Sequence, residues 1–391
     1  MDVITFANDW NGDPLSKKHI MRRLAKHGRV LWVNSIGNRV PRANASDMRR
    51  IFDKVAGAVR GVKEVDENIF ALSPLAIPLY SGAVVKGVNK ALLMGAIRVA
   101  AQRIGLEKPI TWTFAPSSAP VVGHLGEDFV LYHCVDEFSA FSDAPGRAIA
   151  ELEKELCAAA DLVITSAEPL YEHKKTLARN VQIVRHGVDL EHFAQALSPA
   201  LDIPIEVANL ARPVIGFWGL IADWVDVAMI AALAKANPTF SYVLLGKIST
   251  DVSALTALPN VHLLGVKSYD ALPAYARAFD LAILPFVENR LTANANPLKL
   301  REYLAAGLPV VATALPEVVR ITAAASVPMG LREEARIAAW DKAILAALAT
   351  GAGPSKERAA KMASEGWDAR VAEMLAHVEQ ARSERGIRSA A

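Results

Sequence analysis

Apolar, β-branched and aromatic runs of four or five residues alternate with helical stretches twice along this chain of 391 residues. In the first half the runs fall at 3–7, 30–34, 69–72, 110–114, 129–133, 162–166 and 182–185, and helical spacing occupies 15–26, 82–103, 147–158 and 170–178. Short runs that are apolar on both faces fit strands of a parallel sheet covered by helices on each side. The second half repeats the order, with strands expected at 214–218, 242–245, 261–264, 281–285 and 310–313 and helices at 225–236, 271–279, 297–306 and 331–349. Leu197-Ser-Pro-Ala-Leu-Asp-Ile-Pro204 reads as a linker, and the tail from Lys356 to about Gly386 as a charged helix, with only the small-residue C-terminus expected to be disordered. The pattern therefore predicts two α/β doubly wound parallel-sheet domains, over 1–198 and 205–355, followed by a C-terminal helix within 356–391.

Composition agrees with two large cores, since 52% of residues are hydrophobic and 21% charged. The two cysteines, Cys134 and Cys157, lie far apart without metal-ligand spacing, which argues for a reducing, cytoplasmic setting and against a zinc site. Met1 to Phe6 is already strand-like and has no basic n-region, so no signal peptide is expected. No uncharged apolar run reaches the roughly 18 residues a membrane-spanning helix needs. Charge is unevenly spread. From Lys17 to Lys63 there are thirteen Lys/Arg, among them Lys18, Arg22, Arg23, Lys26, Arg39, Arg42, Arg49, Arg50, Lys54 and Arg60, against only Asp47 and Asp53. Tyr80 to Ile104 carries Lys86, Lys90, Arg98 and Arg103 among apolar residues, with no acid. Such a surface suits the anionic inner face of a membrane or a diphosphate-bearing substrate. Nucleic acid is disfavoured, because no recognition motif or aromatic stacking array accompanies the charge.

The segment Asn296-Pro-Leu-Lys-Leu-Arg-Glu-Tyr-Leu-Ala-Ala-Gly-Leu-Pro-Val-Val-Ala-Thr313 carries the most chemistry. Asn296 reads as a helix N-cap with Pro297 at the first helical position. Free amides there, with Lys299 in the first turn, make an anion site. Glu302 lies one turn along on the same face, where it can accept from two ribose hydroxyls. Gly307 ends the helix, and Leu308 to Ala312 reads as a buried strand.

This segment resembles the donor-binding helix of GT-B glycosyltransferases, in particular family 4 and a subgroup acting in bacterial polysaccharide biosynthesis. The resemblance implies two Rossmann-like domains facing across a cleft, with the terminal helix crossing back towards the first. It implies a sugar nucleotide, UDP-linked rather than GDP-linked, as donor substrate, and no cofactor or metal; no Asp-x-Asp motif is present. Glu302 corresponds to the ribose-binding glutamate, with Lys299, Asn296, Pro297 and Leu298 at the diphosphate. A second, sugar-contacting glutamate of the family falls at Asn294, which leaves retaining and inverting chemistry both open. Gly216-Phe-Trp-Gly219 resembles the loop that approaches the donor, naming Trp218 and Gly219; Lys247 resembles a phosphate-binding basic position; Gly265 to Tyr269 resembles the base pocket, naming Val266 and Tyr269. Asn294 or Asn289 would hydrogen-bond a sugar hydroxyl, and Arg290 would meet the carboxylate if the sugar were a uronic acid.

In the first half, Asn8, Trp10 and Gly12 form a polar loop similar to the family's acceptor-side first loop. Tyr132-His-Cys-Val-Asp-Glu-Phe-Ser139 supplies candidate bases at a strand end, Asp136 first, then Glu137 and His133. Ser166, Glu168 and the Arg185 to Asp189 stretch resemble family segments that support the fold. The function implied is transfer of a hexose or hexuronic acid to a lipid-linked or polysaccharide acceptor at the membrane face. A sugar-nucleotide 2-epimerase of the same fold and a non-catalytic partner subunit are the alternatives.

Overall fold

The computed structural model describes residues 1–12, 15–35, 61–74, 83–142 and 144–390, apart from the side chains of residues 83–86 and 387–390. The basic residues Arg39, Arg42, Arg49, Arg50, Lys54 and Arg60 lie outside the described residues, as does the side chain of Lys86. The chain divides into two compact units, one of Met1–Arg185 with Val371–Ala391, the other of His186–Arg370.

The first unit holds an eight-stranded sheet in the order β3-β4-β2-β1-β5-β6-β7-β8. Its strands are β1 (Val3–Phe6), β2 (Val30–Val33), β3 (Lys63–Asp66), β4 (Ile69–Leu72), β5 (Ile110–Thr113), β6 (Phe129–Cys134), β7 (Leu162–Thr165) and β8 (Val181–Ile183). All neighbours are parallel except β3, which pairs antiparallel with β4 and carries a register shift between Glu64 and Asp66. β1, β2, β5, β6 and β7 are buried along their whole length, as expected of strands with helices on both faces. The helix Ser16–Leu24 packs on one face through Lys17, Ile20, Met21 and Leu24, an i, i+3, i+4, i+7 stripe.

The second unit holds a wholly parallel six-stranded sheet, order β11-β10-β9-β12-β13-β14. These strands are β9 (Val214–Trp218), β10 (Ser241–Leu245), β11 (Val261–Leu263), β12 (Leu281–Leu284), β13 (Val310–Thr313) and β14 (Ala325–Val327). Helices Val227–Ala236, Leu272–Ala278, Leu298–Ala305 and Glu333–Ala349 stand close to their expected places.

Three expectations change. The stretch read as a linker does not divide the units, because the division falls at Arg185 and His186; Ala196, next to that stretch, is buried in the core of the second unit. The tail is not one helix but two, Lys356–Ala360 and Trp367–Ala390, so the small-residue end is helical. The break arises because Val188 takes over the backbone there: its amide donates to the Glu365 carbonyl at 2.9 Å and its carbonyl accepts from Trp367 at 3.3 Å. From Val371 onwards the last helix belongs to the first unit, where Arg382 pairs with Asp128 at 2.7 Å and Arg385 with Asp161 at 3.1 Å.

Candidate functional site

In the second unit the chemistry gathers where β9, β10 and β11 end, the edge at which ligands bind in parallel α/β sheets. β9 runs into Gly219, whose amide donates to the Leu245 carbonyl at 2.9 Å. Gly219 has φ +143, a backbone that side chains rarely allow, and a Cβ there would lie 2.6 Å from Lys299 Cε. Gly246 at the end of β10 is tighter still, with a Cβ position 1.8 Å from the Gly219 carbonyl oxygen. The two glycines thus let the Lys299 stem lie flat over the strand-end loops. The Lys299 side chain is half-buried, and its ammonium has no partner among the described residues.

The helix Leu298–Ala305 is fixed to β9 by Trp218 and Tyr303. The Trp218 amide donates to the Tyr303 hydroxyl at 3.0 Å, and the two rings meet edge to face at 4.2 Å. The Trp218 indole N–H donates to Glu302 Oε2 at 2.8 Å. One carboxylate oxygen is thereby oriented, and the other has no partner among the described residues. Lys299 and Glu302 therefore offer a cation and a hydrogen-bond acceptor from one helix face. No side chain caps the first turn and no acid stands in it, so its amides favour an anion.

The expected cap is different. The helix starts at Leu298 with Pro297 in the cap position, and the Asn296 side chain instead accepts from Arg301 Nη1 at 2.5 Å. Arg301 is buried and also reaches Glu365 at 3.4 Å, with Arg370 on the same carboxylate at 2.7 Å. A buried guanidinium needs acceptors more than the helix start needs a cap. Asn294 donates from its side-chain amide to the Arg290 carbonyl at 2.7 Å, while Asn289 forms a capping box with Thr292. Tyr269 is stacked on His192 at 4.2 Å, which occupies one ring face. Val266 and Lys247 are exposed.

In the first unit, β1, β5 and β6 are neighbours, and their carboxyl ends gather a second polar cluster. Asn8 Oδ1 accepts from Lys17 Nζ at 2.7 Å, and its carbonyl accepts from the Trp32 indole at 2.8 Å. Trp10 packs edge-on against Trp32 at 5.0 Å, with Lys18 Nζ 4.9 Å over its ring; Lys18 also donates to the Gly12 carbonyl at 2.6 Å. Asp136, two residues past β6, is half-buried. His133 is in the sheet rather than at its edge: it stacks on Phe114 at 5.0 Å, and its Nδ1 accepts from the Trp112 indole at 3.4 Å. Burial, with Lys17 nearby, lowers its pKa to about 3.

Glu137 turns away into a buried network that sequence reasoning missed. Its carboxylate accepts from Ser139 and lies 3.5 Å from His173 and 3.8 Å from Lys174. Lys174, fully buried, pairs with Glu153 at 2.7 Å, and Tyr132 donates to Glu153 at 2.5 Å. Desolvation and the neighbouring Cys134 and Glu153 push the Tyr132 hydroxyl well above its usual range. Ser166 donates to the Val135 carbonyl at 3.1 Å and Arg185 pairs with Glu168 at 2.9 Å, contacts that hold loops in place. His186 lies against Trp367.

The chain is similar to known proteins in sequence over part of its length and in fold over nearly all of it. Residues 212–350 match the family described as glycosyl transferases group 1. A putative teichuronic acid biosynthesis glycosyltransferase of Bacillus subtilis, TuaH, is 33% identical over 205 residues, which cover 48% of this chain and 51% of TuaH. The match thus spans about half the length of that curated relative. Sucrose-phosphate synthase from Thermosynechococcus elongatus superposes with a TM-score of 0.70 at 16% identity over 97% of this chain and 98% of that one. Anabaena HepE in complex with UDP-glucose does so at 0.64 and 16% over 96% and 99%. At such identities the likeness establishes the fold, which is GT-B, as the resemblance read from the sequence implied.

Proposed function

We propose that this chain, a GT-B protein with a group 1 glycosyl transferase region over residues 212–350, moves a hexose or hexuronic acid from a UDP-sugar to a lipid-linked or polysaccharide acceptor in cell-surface polysaccharide synthesis. The observation that carries the reading is the pairing of a Lys299 ammonium with a Glu302 carboxylate, the ammonium and the outer carboxylate oxygen both without a partner among the described residues. A nucleoside diphosphate fills both needs. Its diphosphate takes Lys299 and the uncapped amides at Leu298, and its ribose hydroxyls donate to Glu302. As the glycosidic bond breaks, negative charge builds on the diphosphate, and Lys299 with the helix dipole stabilises it. This assigns leaving-group stabilisation to the chain itself, with no cofactor.

The choice of UDP is supported by HepE in complex with UDP-glucose, and the polysaccharide acceptor by the name of TuaH. A membrane-facing acceptor is supported by the helix Ala83–Arg103, where Val88, Leu92 and Val99 are exposed in a stripe beside Arg98. No helix among the described residues is long and apolar enough to cross a membrane, so the reading is contact with an anionic surface. A thermal-shift panel of UDP, GDP, ADP, NAD and inorganic phosphate tests the donor site. UDP alone should raise the melting temperature. A flat panel, or a response only to NAD, removes the transferase reading.

A further inference from the structure

Arg301 is a buried cation on the hidden side of the helix that presents Lys299 and Glu302. Its side chain is 2% exposed. Nη1 donates to Asn296 Oδ1 at 2.5 Å and Nε to Glu365 Oε2 at 3.4 Å. Glu365 is shared, because Arg370 reaches the same oxygen at 2.7 Å. The carboxylate of Glu317, itself buried, adds to the field at Arg301. All five residues belong to the second unit. A guanidinium has five N–H donors, and burying it with so few acceptors is unfavourable beside an apolar side chain of similar size. Such a group contributes little to net stability; what it contributes is a fixed geometry for its partners.

The partner that matters is Asn296. It is 5% exposed and stands two residues before Leu298, where the helix begins. The preceding short helix, Arg290–Ala293, is closed by its own capping box, whereas no side chain caps the first turn of Leu298–Ala305. The direction of the free amides at Leu298 and Lys299 is therefore set by the backbone between the two helices. Arg301 pins that backbone from the inside, one turn further along. The other end of the chain of contacts is anchored as well. The Glu365 carbonyl accepts from the Val188 amide at 2.9 Å, and the Trp367 amide donates to the Val188 carbonyl at 3.3 Å. On the outer face, the Trp218 indole holds Glu302 in the same manner.

We propose that Arg301, held by Glu365, is a positioning residue for the diphosphate: through Asn296 it fixes the turn that aims the first amides of Leu298–Ala305 at the anion. The inference rests on the donor reading above. The buried guanidinium does not itself reach the ligand; it acts through the backbone that Asn296 holds. Trp218 serves the ribose end separately, through Glu302. The two ends of the nucleotide are therefore separable by mutation. Removing Arg301 weakens recognition of the phosphates and leaves recognition of the nucleoside intact. A merely structural arginine would affect both alike.

The test is calorimetric titration with UDP, with uridine read by competition against it. The wild-type protein should prefer UDP to uridine. Arg301→Met keeps an unbranched side chain in the core and leaves Glu365 paired with Arg370. It should lose about tenfold of that preference, with uridine affinity within about twofold of wild type. Asn296→Ala leaves the Arg301–Glu365 pair in place and carries the same expectation, so it decides the matter if Arg301→Met does not fold. The double variant should lose no more than either single one, since both act through one contact. A folded variant that keeps the preference, or that loses uridine in the same proportion as UDP, overturns the positioning role. So does a wild-type protein that binds UDP no better than uridine. A wild-type protein that binds neither overturns the donor reading instead.

Discussion

Trp218→Phe isolates one hydrogen bond at Leu298–Ala305, the helix proposed to bind the donor. Phenylalanine keeps a ring between Tyr303, at 4.2 Å, and Phe193, at 6.0 Å, but removes the indole N–H that holds Glu302 Oε2 at 2.8 Å. Hydrogen bonds to charged groups are worth about 1.5–3 kcal/mol. Glu302 is half-exposed, and water replaces part of what is lost, so about 1–2 kcal/mol is the expected effect on nucleotide affinity. At 1.4 kcal/mol per tenfold, UDP should bind roughly 5- to 30-fold more weakly. The loss should be specific to ribose recognition, so the preference for UDP over 2′-deoxy-UDP should shrink with it. Calorimetry on wild type, Trp218→Phe, Glu302→Gln and the double variant completes the cycle. Because the indole acts through the carboxylate, Trp218→Phe should cost almost nothing once Glu302 is neutral. A single variant that binds UDP within twofold of wild type, or a cost that persists in the Glu302→Gln background, would refute the reasoning.

Other outcomes follow from the same geometry. Gly219→Ala should fold with a penalty of about 1–2 kcal/mol from its backbone, because the atom it meets, Lys299 Cε, is at the mobile end of a side chain; UDP affinity should fall as that cation is displaced. Gly246→Ala meets the Gly219 carbonyl instead and should be recovered mainly as insoluble protein in an expression trial. Lys17→Met should raise stability in denaturant melts at pH 7. The folded pKa near 8 lies below the ordinary lysine value of 10.5, so the charged form is disfavoured by folding. The gain, up to about 3 kcal/mol, should close as pH rises from 8 towards 10.5. His133, lowered from 6.5 to about 3, is neutral when folded and protonated when unfolded between those values, so it should cost the wild type stability as pH falls through 6.5. Between pH 7 and pH 5 that amounts to about 2 kcal/mol, and His133→Leu should lose correspondingly less in the same melts.

Most strand positions, the parallel character of the sheets and the helix at Leu298–Ala305 were legible because they depend on local periodicity. Lys299 and Glu302 share a face by helical spacing alone, and the apolar run that follows can only be a buried strand. What stayed hidden depends on partners distant in sequence or buried beneath. Asn296 looked like a cap because the reading stopped at the first turn, whereas Arg301, five residues on, is buried and claims its amide. His133 and Glu137 looked like cleft residues because a strand covered on both sides gives no polar alternation to show which way each points. Two lysines did leave a signal. Lys17 heads the apolar stripe of Ile20, Met21 and Leu24, and Lys174 sits four residues after the buried Leu170. A charge in a hydrophobic register is a mark of an interior role. β3 was missed because Lys63-Glu-Val-Asp66 is too polar to read as a strand.

That same polar strand bears on how the protein behaves in solution. A parallel sheet of this width ends in a row of unpaired amides and carbonyls, an invitation to stack with a second copy. β3 runs against the grain of the other seven strands, slips register between Glu64 and Asp66, and turns Lys63 and Glu64 outward. A copy docking along it would meet a twisted rim and two charges that have to shed water. The chain thus keeps one flank of its larger sheet closed to further growth, and replacing Lys63 and Glu64 by valine should show the consequence as concentration-dependent oligomers in light scattering.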